Sequence, residues 1–211
     1  MNSAFENISE EKRQKIIAAC FEEFAEKGYV NASTNNMVKK AEISKGLLFH
    51  YFGSKKNLYL YLLDLSMDIF MNKFYSYYVE PSSDIFDRVM QIGIIKIKIS
   101  NEEPLMTKLV LEAFIDTPQE MKEEIGGRYK KFYSENMPLK FQDVDYSLFR
   151  DDIDTQKAIE FMMLCFDALY NKYTNRFKGK ALALSNEEID NMVKEYYEYM
   201  NMMKFGTYNK K

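Results

Sequence analysis

One stretch, Ala32–Leu58 (ASTNNMVKKAEISKGLLFHYFGSKKNL), gathers the residues whose types and spacing suit chemistry. Lys45, Gly46, Leu47, Phe49, His50 and Tyr51 fall within one short helical span, and Lys55 follows it. The chemistry is recognition without covalent change. Ammonium, imidazole and phenol groups donate hydrogen bonds to anionic oxygens, while glycine and leucine allow close, apolar contact. From Lys27 to Lys56 six lysines stand against one acid, Glu42, a local charge of +5. The chain as a whole carries −3, so everything outside that window sums to −8. A basic island on an acidic chain implies a local polyanionic partner. Other chemistries lack their residues. The chain has no nucleophile–base pair, phosphate-binding loop or dinucleotide fingerprint, which leaves an enzyme as a remote alternative. His50 is the only histidine, so a multi-histidine zinc site is excluded. The Asp-rich segment 143–154 lacks the glycine and glutamate spacing of a calcium loop. No cofactor or metal is expected.

The elements that must position these residues are helical. Four prolines and eight glycines in 211 residues leave long segments with neither, which favours an all-α chain of about nine helices. Ser9 caps a first helix that ends at Lys27-Gly28. A second runs from Ser33 or Thr34 to Ala41, and a third, capped by Ser44, from Lys45 to Tyr51 or Phe52. Ser54 caps a long fourth helix to about Val79. The spacing then predicts helices over 84–100, 104–115, 117–136, 155–175 and 185–204. In these, Thr117-Pro118 is taken as N-cap and first helical residue, and Ser185 and Glu188 as a capping box. Ile92–Ile99 alternates like a strand, but no partner strand is nearby, so a helix is preferred. The expected division is residues 1–54 as a small domain and 55–211 as a larger one. Cys20 and Cys165 sit in apolar helical patterns without CxxC spacing, as buried thiols of a reducing compartment do. The N-terminal segment lacks the apolar core of a signal peptide, and the longest apolar run, Phe161–Phe166, is too short to cross a bilayer. A cytoplasmic protein is expected.

Two short helices joined by Glu42–Ser44 and supported by a preceding helix form a helix-turn-helix, whose second helix enters the major groove of double-stranded DNA. Lys45 can donate to guanine acceptors or phosphate, Gly46 permits close approach, and Leu47 can meet a thymine methyl. His50 and Tyr51 can reach phosphates, as can Lys55 in the first turn of the next helix. Thr34 and Asn35 can hold the backbone on the other side. Val38, Ile43, Leu48 and Phe52 belong to the core. For Lys45, Tyr51 and Lys55 the plainer alternative is a solvated face.

At these residues the chain resembles the TetR/AcrR family of transcriptional repressors. The matching run is Gly28-Tyr29, Ala32-Ser33-Thr34, Val38, Ala41, Ile43-Ser44-Lys45-Gly46, Leu48-Phe49-His50-Tyr51-Phe52, Ser54-Lys55 and Leu58. It covers about a quarter of the chain; later helices match only in number, length and order. The resemblance implies a three-helix DNA-binding domain on a divergent ligand-binding and dimerisation domain. It also implies a homodimer that leaves a palindromic operator when a small effector binds. Ser44 and Phe49 complete the implied DNA face. Phe49 stands where the family usually has tyrosine, so a phosphate-reaching hydroxyl is missing. Glu42 stands where the family's turn often has glycine.

The rest of the chain is less explicit. Residues 57–211 hold 25 of the 32 Phe and Tyr and 12 of the 14 Met, the stock of an adaptable apolar pocket and equally of any helical core. The acids set in apolar runs, Glu112, Asp116 and Asp167, either face solvent, pair with Lys or Arg, or neutralise a cationic aromatic ligand in a pocket with the aromatics Phe70, Phe132, Phe166 and Tyr170. Its effector would be small and apolar or aromatic. Dimer candidates lie on the last two helices: Phe161, Met162 and Cys165 on one, and Ile189, Met192, Val193, Tyr196, Met200 and Met203 on the other; the plainer alternative is that these helices only close the monomer's core. Control by a protein partner or corepressor remains the alternative to an inducing ligand.

Overall fold

The computed structural model describes residues 3–115, 117–136, 141–176 and 185–209, without the side chains of residues 3, 115, 170, 173–176 and 186. Among these, every regular element is helical. They are α1 (Ser3–Glu6), α2 (Glu10–Asn31), α3 (Thr34–Ala41), α4 (Lys45–Phe52) and α5 (Lys55–Tyr77). Then follow α6 (Ile85–Glu102), α7 (Pro104–Ile115), α8 (Lys122–Asn136), α9 (Thr155–Arg176) and α10 (Asn186–Thr207). The helix α1 was not foreseen.

The chain forms two compact units. The first comprises Met1–Asn72 and Glu103–Tyr133. It is wider than residues 1–54, because α2 packs against α7 as well as α3. Its core includes Ile16, Cys20, Phe24, Met37, Leu48 and Leu62, all buried. The second comprises Lys73–Glu102 and Ser134–Lys211, with α10 packed on α6 and α9. Phe86, Met90, Met162, Phe166, Met200 and Met203 lie in its core.

The alternating Ile92–Ile99 is helical. Ile92, Ile95 and Ile99 are buried at helical spacing while Lys96 and Lys98 are exposed. Asp84 caps α6 by accepting from the Phe86 N–H (2.9 Å) and anchors the end of α10 through Lys204 (2.8 Å) and the Tyr208 hydroxyl (2.9 Å). The buried Arg88 donates to the carbonyls of Ser82 and Gln142, holding the segment ahead of α9. The capping box of Ser185 and Glu188 forms as foreseen.

Two expected caps are corrected. Ser9 precedes α2 without a side-chain cap bond. Thr117 does not cap a helix; its hydroxyl donates back to the Ala113 carbonyl at 2.7 Å, serving an orphan acceptor at the end of α7. Pro118 instead opens a 3₁₀ turn, Gln119–Met121, and α8 begins at Lys122. The candidate Asp116 and the side chain of Tyr170 lie outside the described residues.

Candidate nucleic-acid interface

A turn at Gly28 starts the interface. Its φ of 67° and ψ of 170° belong to a region that only glycine occupies without strain, and the helical path of α2 breaks there. The chain is thereby redirected into α3. The start of α3 is then fixed from α2 by Glu23. Its buried carboxylate (2% exposed) accepts from the Ser33 N–H at 2.9 Å and from Asn36 Nδ2 at 3.2 Å. A negative group against free N–H groups at a helix start is favourable in charge and in hydrogen bonding.

Glu42 closes α3 in the left-handed region, φ 54°, where the backbone would favour glycine. Its N–H reaches the Lys39 carbonyl (3.3 Å) and the Ile43 N–H that of Val38 (3.0 Å). The acid is paired: Lys15 lies 2.5 Å from it and holds its carboxyl below the ordinary value of 4.5. Ser44 caps α4 by accepting from the Leu47 N–H at 3.2 Å. Gly53, φ 74°, ends α4, and Ser54 caps α5 through the Asn57 N–H at 3.0 Å.

On this frame Asn35, Ser44, Lys45, Gly46 and His50 are exposed, and Thr34, Leu47, Phe49 and Lys55 are half-buried. Lys45 Nζ stands 6.0 Å from the Phe49 ring centre. A side chain at Gly46 would meet nothing closer than Ser44 Oγ at 4.0 Å. Folding does not require glycine there, so its value is outward. Two residues are placed differently from a bare contact surface. Tyr51 is buried, 5% exposed, with its ring against Phe5 and Phe52. Lys55 donates to the Val30 carbonyl at 3.1 Å and lies 5.0 Å from the Tyr29 ring centre; partial burial lowers its pKa. It reaches a phosphate only by loosening that contact.

Sequence reasoning missed the supports. Besides Glu23 they include the Tyr29 hydroxyl, which donates to Glu120. Lys56 donates to the Glu120 carbonyl (3.0 Å) and pairs with Glu124 (2.5 Å). Arg128 grips Asp64 with two bonds, 2.6 and 2.9 Å. Each joins residues far apart in sequence, so no local pattern marks it.

The pocket candidates fall in both units. In the first, Phe70 and Phe132 are half-buried with ring centres 6.2 Å apart, and Glu112 lies 3.9 Å from Lys108. In the second, Phe166 stacks on Tyr196 at 5.8 Å and Asp167 is exposed. Of the dimer candidates, Met162, Met192, Met200 and Met203 are buried, and Cys165, Ile189, Val193 and Tyr196 are half-buried. Phe161 is exposed, and so are Leu164, Met202 and Phe205, which had not been singled out. Among the described residues no acid, His or Cys group could hold a metal, and no helix is long and apolar enough to cross a membrane.

A capped basic helix, exposed at its N-terminal end and braced by two others, defines a helix-turn-helix DNA-binding protein. Comparison with known proteins agrees. The family model "Bacterial regulatory proteins, tetR family" matches residues 16–62. An HTH-type transcriptional regulator of Staphylococcus aureus (strain USA300) is 28% identical over 159 residues, 74% of this chain and 77% of that protein. A TetR family transcriptional regulator from Chloroflexus aurantiacus J-10-fl shares the fold at a TM-score of 0.66 and 22% identity, covering 99% of both chains. The fatty acid degradation regulator FadR from Bacillus halodurans does so at 0.63 and 18%, covering 89% of this chain and 96% of that one. The tetR family match lies in residues 16–62, and along most of its length the chain is similar to HTH-type, DNA-binding transcriptional regulators.

Proposed function

We propose that the protein is a repressor that binds a palindromic operator as a homodimer and leaves it when a small apolar or aromatic effector binds. The observation that carries the reading is the outward N-terminal end of α4, where Lys45 and Gly46 are exposed beside half-buried Leu47. A lysine and a leucine there suit base edges, phosphates and thymine methyls, and the glycine allows the backbone to come close. One eight-residue helix reads too few bases to single out a site, so a second copy is needed. Phe161 and Leu164 on α9, and Met202 and Phe205 on α10, offer apolar surface for it, each at least 53% exposed.

The effector reading is supported by half-open aromatics of the first unit. Phe114 and Tyr129 ring centres are 5.0 Å apart, Tyr129 and Tyr133 6.1 Å, and both tyrosines are exposed. The bonds from Arg128 to Asp64 and from Lys56 to Glu120 and Glu124 tie α8 and the turn before it to α5, and Tyr29 ties α2 to the same turn. An effector that shifts α8 therefore displaces the end of α2 and the start of α5, which directly follows α4. In a dimer, a small rotation of each α4 changes their spacing, and the pair no longer fits successive major grooves.

Fluorescence anisotropy with DNA upstream of the protein's own coding region tests the reading. Strong, salt-dependent binding that discriminates against scrambled DNA is expected. Equal weak binding to both would overturn it. A thermal-shift screen of apolar acids and aromatic cations, followed by release of bound DNA, tests the effector.

A further inference from the structure

The residues ahead of the helix-turn-helix have no assigned task, yet Phe5 of α1 is 0% exposed. Its ring centre lies 5.2 Å from Tyr51 and 4.7 Å from Phe52, on the last turn of α4, and 5.9 Å edge-on from Tyr61 of α5. Arg13 of α2 donates to the Glu6 carbonyl at 2.9 Å and closes the end of α1. Ala4 is half-buried and Glu6 exposed, so a single ring plugs the site. A four-residue helix does not persist in water by itself. It is ordered by this plug and this cap, and the plug in turn fills the space under the far end of α4.

That far end is where an eight-residue helix is aimed. Its N-terminal turn is set by Ser44, but its tilt depends on what Tyr51 and Phe52 rest against. Removing the plug leaves a void between α4 and α5, into which packed neighbours shift. Phosphate attraction tolerates such a shift, because it is long-ranged and insensitive to angle. Hydrogen bonds to base edges do not, because they weaken steeply with distance and angle.

We propose that Ser3–Glu6 is a clasp that sets the pose of the recognition helix, and that Phe5 is a positioning residue for operator discrimination, acting through Tyr51 and Phe52 without touching DNA. The proposal rests on α4 being the DNA-reading helix. It also gives the burial of Tyr51 a purpose: its ring is one wall of the clasp.

The test uses the full chain, a duplex selected from random DNA by the wild type, and a scrambled duplex of equal length. Phe5→Ala lowers the selected-to-scrambled affinity ratio by about tenfold, the scale of one lost base contact, while scrambled binding changes by less than about twofold. Phe5→Leu, which refills the site, restores most of the ratio. Amide exchange speeds up at Phe49–Ser54 in Phe5→Ala and is unchanged in α9 and α10. An unaltered ratio, or equal loss on both duplexes, overturns the proposal. If the wild type itself fails to discriminate, the operator reading falls instead, and the clasp is then decided by exchange at Phe49–Ser54 alone.

Discussion

Single residues divide here into those that face outward and those that hold them. Lys45 is exposed, with its Nζ 6.0 Å from the Phe49 ring centre, so its removal is expected to leave the fold intact. Lys45→Ala is expected to weaken operator binding by about 1–3 kcal/mol, and to lower the salt slope by about one if it meets phosphate. Anisotropy at several salt concentrations measures both. Glu23 is the opposite kind of residue. Its carboxylate serves two donors at the start of α3 from inside the core. Glu23→Ala leaves them unsatisfied and is expected to cost about 1–3 kcal/mol of stability in urea unfolding, whereas Glu23→Gln, which keeps an acceptor, costs less. Cys20 belongs with the holders: burial pushes its thiol up to about 12, which leaves it inert at neutral pH.

At the scale of elements, each short helix is stopped and started by a specific backbone device. The break at Gly28 matters most, since α2 would otherwise run on past α3. A methyl group there would meet only Glu112 Oε2 at 4.0 Å, so space is not the obstacle. The obstacle is the backbone, φ 67° and ψ 170°. Gly28→Ala is expected to cost about 1–3 kcal/mol through strain alone, seen as a lower urea midpoint with an unchanged m-value. Glu42 shows how a non-glycine residue is accommodated at positive φ: its N–H bond to Lys39 and its ion pair with Lys15 accompany the left-handed turn. The same ion pair keeps the acid from standing bare beside α4.

For the molecule as a whole, the proposed homodimer turns on which apolar side chains face outward. The apolar side chains that remain outward on α9 and α10 are not the methionines that sequence periodicity singled out. Those methionines fill the second unit's own core, and Leu164 and Phe205 are left at 68% and 78% exposed. Leu164→Glu is therefore expected to change the protomer's stability by less than about 0.5 kcal/mol. It is expected to convert a dimer to monomer in sedimentation, and to abolish cooperative operator binding. A dimer that survives this substitution together with Phe205→Glu would remove α9 and α10 from the interface.

Local information is carried by the sequence alone, and it was enough for most of the helices, their caps at Ser44, Ser54 and Ser185, the glycine break and the turn between α3 and α4. Helix periodicity, capping and turn chemistry depend on residues within about four positions of each other. The three-dimensional packing decided everything that joins distant residues. It placed Glu23 under α3 and Phe5 under α4, turned Thr117 back toward α7, and sorted the outward apolar residues from the inward ones on α9 and α10. A buried carboxylate or a plugged aromatic pocket has no periodic signature, because its partners come from separate helices. The chain thus states by itself where its helices start and stop, while only its tertiary contacts determine what each helix rests against.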